Sequence, residues 1–243
     1  MSGWSRTRTA VAKPRPRRRF GRTLWSVVLA VLLLVLGLPL VVVAAYRLVP
    51  PPVTPLMLLR AATGASIRQR WVPLSQMSPW LVRAVVASED ARFCIHHGFD
   101  YEEIGAALER FRAGGRLRGA STISQQTAKN ILLWPGGGFL RKGIEAYITE
   151  LIELGWPKSR ILEVYLNVIE WGDGVYGAEQ AAQTHFRKPA SALTRREGAL
   201  LAAILPNPRV LSVERPSRYI EERVATIEAR TVQVDVPGTA SCR

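Results

Sequence analysis

Four stretches of this chain concentrate residues that can do chemistry. The first runs Ser88-Glu89-Asp90-Ala91-Arg92-Phe93, then His96-His97-Gly98-Phe99-Asp100. Adjacent carboxylates closing an apolar run, followed by histidines and a glycine, suit proton transfer; the same residues also occur as solvated, capping or core groups. The second runs from Gly119 through Ser121, Thr122, Ser124, Gln125 and Gln126 to Lys129 and Asn130. A glycine and three hydroxyls at a helix start turn free N–H groups and side-chain donors toward an anion. Lys129 follows one turn beyond Gln125 on the same face. The third, Arg141-Lys142-Gly143-Ile144-Glu145, holds an i,i+4 pair in the order basic then acidic. That is the less favourable direction for helix stability, so stability explains the pair poorly. The fourth, Tyr165 to Gly177, sets Gly172, Gly174 and Gly177 among Asn167, Glu170, Trp171 and Tyr176. It suits a tight loop, either lining a cleft or purely structural.

The elements that must position these groups read as helices. Ser78-Pro79 is an N-cap with proline at the first helical position, opening Trp80–Ala87. Tyr101–Arg112 carries Ile104, Ala107, Leu108 and Phe111 on one face and ends at Gly114-Gly115. Ile123–Leu133, Leu140–Leu154, Arg160–Tyr165 and Gly177–Phe186 read likewise. Thr194 and Glu197 form a capping box ahead of an apolar run stopped by Pro206. Alternating patterns are nearly absent, Thr231–Val236 being the best of them, so the fold class is mainly α.

The 243 residues carry 33 basic and 19 acidic side chains, for a net charge of +14. Eight of the basic groups precede position 23 with no acidic residue among them, leaving +6 for the rest. From Thr23 to Tyr46 no residue is charged. Leu24 to Ala45 would make a helix of about 33 Å, enough to cross a hydrocarbon core of about 30 Å. The run is longer than a signal-peptide core and is followed by Tyr46, Arg47 and Pro50-Pro51-Pro52, so an uncleaved anchor is expected. The basic cluster keeps the first 22 residues cytoplasmic and sends the remainder outside, which removes nucleic acid as a partner. Pro50–Pro55 reads as a stiff spacer. Cys94 and Cys242 form no metal or disulfide framework, and a bridge between them is not expected with Cys242 in the tail. The expected organisation is a basic cytoplasmic tail at 1–22, a membrane anchor at 23–46, a linker and membrane-proximal segment at 47–70, a catalytic domain at 71–230 and a flexible tail at 231–243.

Together the four stretches resemble the motifs of glycosyltransferase family 51, the peptidoglycan glycosyltransferases, from about Trp71 to Pro208. The segments E-D-x-x-F-x-x-H-x-G-x-D, G-x-S-T-I-x-Q-Q-x-x-K-N, R-K-x-x-E and Y-L-N-x-x-x-x-G-x-G-x-x-G occur in the family's order. With no transpeptidase domain in the sequence, the chain is similar to the family's monofunctional members. The resemblance implies a lysozyme-like, two-lobed helical domain behind one transmembrane helix. Its substrates would be lipid II and the nascent glycan on undecaprenyl pyrophosphate, handled against membrane lipid at the periplasmic face of the bacterial inner membrane. Glu89 would deprotonate the acceptor's 4-hydroxyl, and the displacement would invert the anomeric centre. Glu145 would be the second essential carboxylate, holding Arg141 or Lys129 or helping a divalent cation (Mg or Mn); no cofactor is obligatory. Pyrophosphate is a leaving group that needs cations more than a proton donor, and Lys129, Arg141 and Lys142 can supply them. Asp90, Phe93, His96, Gly98, Ser121, Thr122, Gln125, Gln126, Asn130, Tyr165, Asn167, Gly172 and Tyr176 complete the expected substrate-binding set. Cell-wall synthesis and division proteins are the implied partners.

In one place the chain departs from the pattern: Pro135-Gly136-Gly137-Gly138 replaces a loop in which many relatives carry an arginine, which would fall at Gly137. Phe111–Gly119, with three glycines and three arginines, is expected to be a mobile flap near the membrane. Two competing functions remain. A lytic transglycosylase or other lysozyme-like hydrolase would use Glu89 as an acid but has no use for the three cations. A non-catalytic wall-assembly scaffold would have no reason to hold all these polar groups.

Overall fold

The computed structural model describes residues 17–115, 121–238 and 242, with side chains from residue 21 onward. Arg6, Arg8, Lys13 and Arg15 lie outside them, as does 116–120, which includes the last four residues of the expected flap, Gly119 among them. The chain divides into two units, up to Pro39 and from Leu40. The first holds helix α1 (Arg17–Leu32) and a π turn, Leu33–Gly37. Pro39 lacks an N–H and its ring crowds the carbonyl four residues back, and a locally widened turn relieves that conflict. Helix α2 (Leu38–Tyr46) follows. The apolar run Gly21–Tyr46 is 26 residues long with a mean hydropathy of 3.2, long and apolar enough to cross a membrane.

The second unit is helical, as expected for a mainly α fold. Its helices are α3 (Pro55–Ala62), α4 (Pro79–Glu89), α5 (Tyr101–Arg112), α6 (Ile123–Leu132), α7 (Phe139–Gly155), α8 (Lys158–Val168), α9 (Ala178–Phe186), α10 (Arg195–Ile204) and α11 (Arg218–Arg230). Short polar side chains start them. Ser78 accepts from Trp80 N, and Asp100 from Glu103 N, while Thr122/Gln125 and Thr194/Glu197 form full capping boxes. Two groups of helices build one core: α4 packs on α10 and α11, and α6 packs on α7 and α8. Gly198 permits the first contact, because a Cβ there would lie 2.9 Å from Leu81 Cα and N. Arg160 on α8 donates to Tyr46 O and Val49 O, and Trp156 Nε1 to Val43 O, so side chains of the domain meet carbonyls at and just after the end of α2.

The structure corrects four expectations. Residues 47–70 are more than a linker: α3 packs on α6 with Met57 buried, and strand β1 (Arg68–Gln69) pairs with the domain. A small sheet, order β1-β3-β2, joins it to β2 (Glu170–Gly172) and β3 (Val175–Tyr176). Its strands are too short for an alternating pattern to register in sequence. Residues 231–238 form turns and extended backbone rather than a strand, and Val234 and Val236 join the core instead of hanging loose. Finally, Cys94 and Cys242 are disulfide-bonded, 4.8 Å apart at Cα. The packing of Val234 and Val236 carries the chain end back to Cys94, which spacing along the sequence could not reveal.

Candidate active site

Helix α4 delivers Glu89 from its last turn to the wall of a cleft of about 180 Å³, shared with Ser88, Asp90, Arg92, Ser121 and Arg230. Gln126 Nε2, on α6, donates to Glu89 Oε2 at 2.9 Å, and the buried Tyr165 hydroxyl donates to Gln126 Oε1 at 3.1 Å. This relay fixes the Gln126 amide so that its N–H₂ must face the carboxylate. Burial pushes the Glu89 pKa above the ordinary carboxylate value, and Asp90 next door adds to the rise. The Gln126 bond and the charges of Arg223 and Lys129 pull it partly back. A proton acceptor with a raised pKa is a stronger base than a solvated carboxylate.

Asp90 faces inward instead. Its Oδ2 accepts from Ile123 N and its Oδ1 lies 2.9 Å from His96 Nε2. One buried carboxylate thereby ties the loop after α4 to the start of α6, where the positive end of the helix favours it. Asp100, 6% exposed, caps α5 and pairs with Arg92. Thr122 Oγ1 donates to Gly98 O, and Gly98 has φ +84°, with Thr149 Cγ2 only 3.0 Å from where a Cβ would sit.

The cations gather where α6 meets α7. Arg141 Nη1 lies 3.0 Å from Glu145 Oε2, and Lys142 Nζ bonds the other oxygen. Glu145 is 3% exposed, so the pair is buried rather than superficial. Both Glu145 oxygens are thus engaged by cations. Arg141 Nε is buried with no hydrogen-bond partner among the described residues. Lys129 has no carboxylate within ion-pair distance among them, and burial lowers its pKa. Glu145 and Glu89 oppose that fall, while Arg141 and Lys142 deepen it. A site holding three cations against one buried carboxylate is short of negative charge. Gly137, at φ +98°, abuts Arg141: a Cβ there would meet the Arg141 side chain at 2.8 Å, so this loop has no room for the arginine of the wider pattern.

Several of the expected substrate contacts also hold the framework together. Phe93 is fully buried beneath Lys158, which also pairs with Glu153. Asn167 spans Val72 and the Glu163 carbonyl, holding the segment before α4 to α8. Gln125 and Thr122 are consumed by their capping box, and Asn130 Nδ2 donates back to Gln126 O. His96, Gly172 and Tyr176 are buried as well. The glycine-rich fourth stretch serves backbone packing, since a Cβ on Gly174 would meet Ser66 O at 2.2 Å. Glu89 and Ser121 line the cleft, Gln126 bonds Glu89 with Tyr165 acting through it, and Arg141 and Lys142 gather on Glu145 with the Lys129 charge felt by both carboxylates. Sequence reasoning missed Arg223 and Arg230. They sit seven residues apart on α11, two turns on one face, and that spacing was the available signal.

The family model described as Transglycosylase matches residues 57–232. The biosynthetic peptidoglycan transglycosylase of Rhodospirillum centenum is 60% identical over 210 residues, covering 85% of this chain and 91% of that protein. Proteins of the same name from Caulobacter vibrioides and Aeromonas hydrophila are each 49% identical, over 221 and 226 residues. Each alignment covers 91% of this chain, with 96% and 94% of the respective relative.

Proposed function

Because the chain belongs to the transglycosylase family, we infer that it is a peptidoglycan glycosyltransferase, a lysozyme-like helical enzyme that polymerises lipid II with Glu89 as general base. The observation that carries the assignment of Glu89 is its setting: a part-buried carboxylate of raised pKa, aimed by Gln126 and Tyr165 and felt by the charges of Arg223 and Lys129. The acceptor's 4-hydroxyl gives its proton to Glu89 as its oxygen attacks the donor's anomeric carbon. The bond from that carbon to the pyrophosphate breaks, and its electron pair leaves with undecaprenyl pyrophosphate, inverting the centre. Lys129, Arg141 and Lys142 offset the charge that develops on the departing phosphate. Glu145 orients Arg141 through their ion pair. The anchor holds the enzyme in the cytoplasmic membrane, its basic end cytoplasmic and its domain on the outer face. A disulfide accords with that oxidising side.

A raised carboxyl pKa also suits the acid of a hydrolase, but a hydrolase has no charged leaving group for the cations to meet. Incubation of the purified protein with lipid II decides between them. Growth of a glycan ladder, lost in Glu89→Gln, is expected; cleavage of preformed glycan without new polymer would overturn the assignment.

A further inference from the structure

Helix α11 brings a cation to the cleft that no step above uses. Arg230, its last residue, lines the same cleft as Ser88, Glu89 and Ser121, whereas Lys129, Arg141 and Lys142 do not line it. The cleft and the Glu145 cluster are therefore two separate cationic surroundings. One suits the leaving pyrophosphate, and the other borders the approach to the base, where the acceptor must lie.

Arg230 is free to bind. Its guanidinium makes no ion pair among the described residues, although its neighbours do: Arg196 pairs with Glu221, and Arg218 with Glu222. The other arginine of the cleft, Arg92, is held by Asp100 and Glu102. The arginine whose charge lowers the Glu89 pKa is Arg223, two turns earlier and anchored to Ala203 O.

Its position is also fixed from behind. Arg83 Nη1 donates to Val234 O at 3.0 Å and lies 3.4 Å from Thr231 O, and the buried Thr231 donates to Glu228 O. Val234 and Val236 pack into the core, and the Cys94–Cys242 bond ties the chain end to the loop that follows Glu89. A backbone held at this many points presents an exposed arginine with little ordering left to do on binding.

We propose that Arg230 is a binding residue for the acceptor substrate, gripping one of its oxyanions while the acceptor's hydroxyl meets Glu89. A guanidinium recognises phosphate and carboxylate alike through paired N–H donors. Lipid II offers both, in its pyrophosphate and in its stem peptide.

The inference rests on the transferase reading, and one experiment separates their failures. Full-length Arg230→Ala, Arg230→Lys and wild-type enzymes are compared in lipid II polymerisation, with thermal melting as a control. Arg230→Ala should raise KM for lipid II about tenfold, the effect of about 1.4 kcal/mol of lost binding. Its kcat should stay within about twofold of wild type, and Arg230→Lys should recover part of the loss. Repeating the series on a lipid-linked disaccharide without the stem peptide identifies the anion. A defect that persists assigns the pyrophosphate, and one that vanishes assigns a peptide carboxylate. Unchanged KM in a normally melting Arg230→Ala enzyme would overturn the proposal, as would a fall in kcat with a displaced acid limb. A wild-type enzyme that makes no polymer would instead refute the transferase reading.

Discussion

Replacing Glu89 by Gln should move activity and stability in opposite directions. Gln is nearly isosteric, and its amide oxygen can still accept from Gln126 Nε2, so no cavity and no orphaned donor arise. Loss of a positioned general base lowers the rate by about 10²- to 10⁴-fold, or about 2.7–5.4 kcal/mol of transition-state stabilisation at 1.36 kcal/mol per factor of ten. Stability follows the other balance. The folded-state pKa of Glu89 is raised because burial outweighs the Gln126 bond and the attraction of Arg223 and Lys129. A carboxyl whose pKa rises on folding favours the folded state below its unfolded pKa, and that advantage is lost as pH rises through the folded value. At neutral pH the ionised group therefore destabilises the fold, and the neutral amide removes the penalty. The Glu89→Gln enzyme should melt at or above the wild-type temperature at pH 7, with the gap closing as pH falls below the ordinary carboxylate range. Lipid II turnover and thermal melts across pH test both arms. Residual turnover near wild type would refute the base assignment. A variant markedly less stable at pH 7 would refute the burial argument.

Other outcomes follow from the same geometry. Wild-type turnover should fall as pH drops through the raised Glu89 pKa, because the base must be ionised; a loss on the alkaline side alone would point to an acid in its place. Lys129→Ala should lower turnover by about 10²-fold, the scale for a lost charge-stabilising donor, with a melting temperature near wild type; loss in step with unfolding would make the residue structural. Gly198→Ala gains about 1 kcal/mol of helix propensity. It also forces α10 off the α4 backbone at Leu81, where 2.9 Å contacts cannot rotate away, at about 1–3 kcal/mol. Net destabilisation is expected in urea unfolding, and a stabilised variant would contradict the packing. Reduction of Cys94–Cys242 should cost about 2–4 kcal/mol of stability, and Cys94→Ser should reproduce it; unfolding curves indifferent to reductant would argue against the bond.

What the sequence alone determined is what local spacing encodes. A cap reaches three residues, so Ser78 and Thr194 marked the starts of α4 and α10 before any fold was known. A membrane-length apolar run and four ordered motifs needed no tertiary contact either, and they pointed to the membrane anchor and the peptidoglycan glycosyltransferase family. Tertiary structure alone decided which motif residues face the cleft. Glu89 and Asp90 are neighbours of the same type, yet Glu89 is bonded by Gln126 while both oxygens of Asp90 are taken by Ile123 N and His96. Asn167, Phe93 and Tyr176 carry the motif's residue types but hold the framework. The relay from Tyr165 through Gln126 to Glu89 joins three helices, and the disulfide joins residues 148 positions apart. No window of sequence contains such contacts. They exist because burying apolar faces brings distant segments together, and burial sets the charge and the partner of every polar group carried inside.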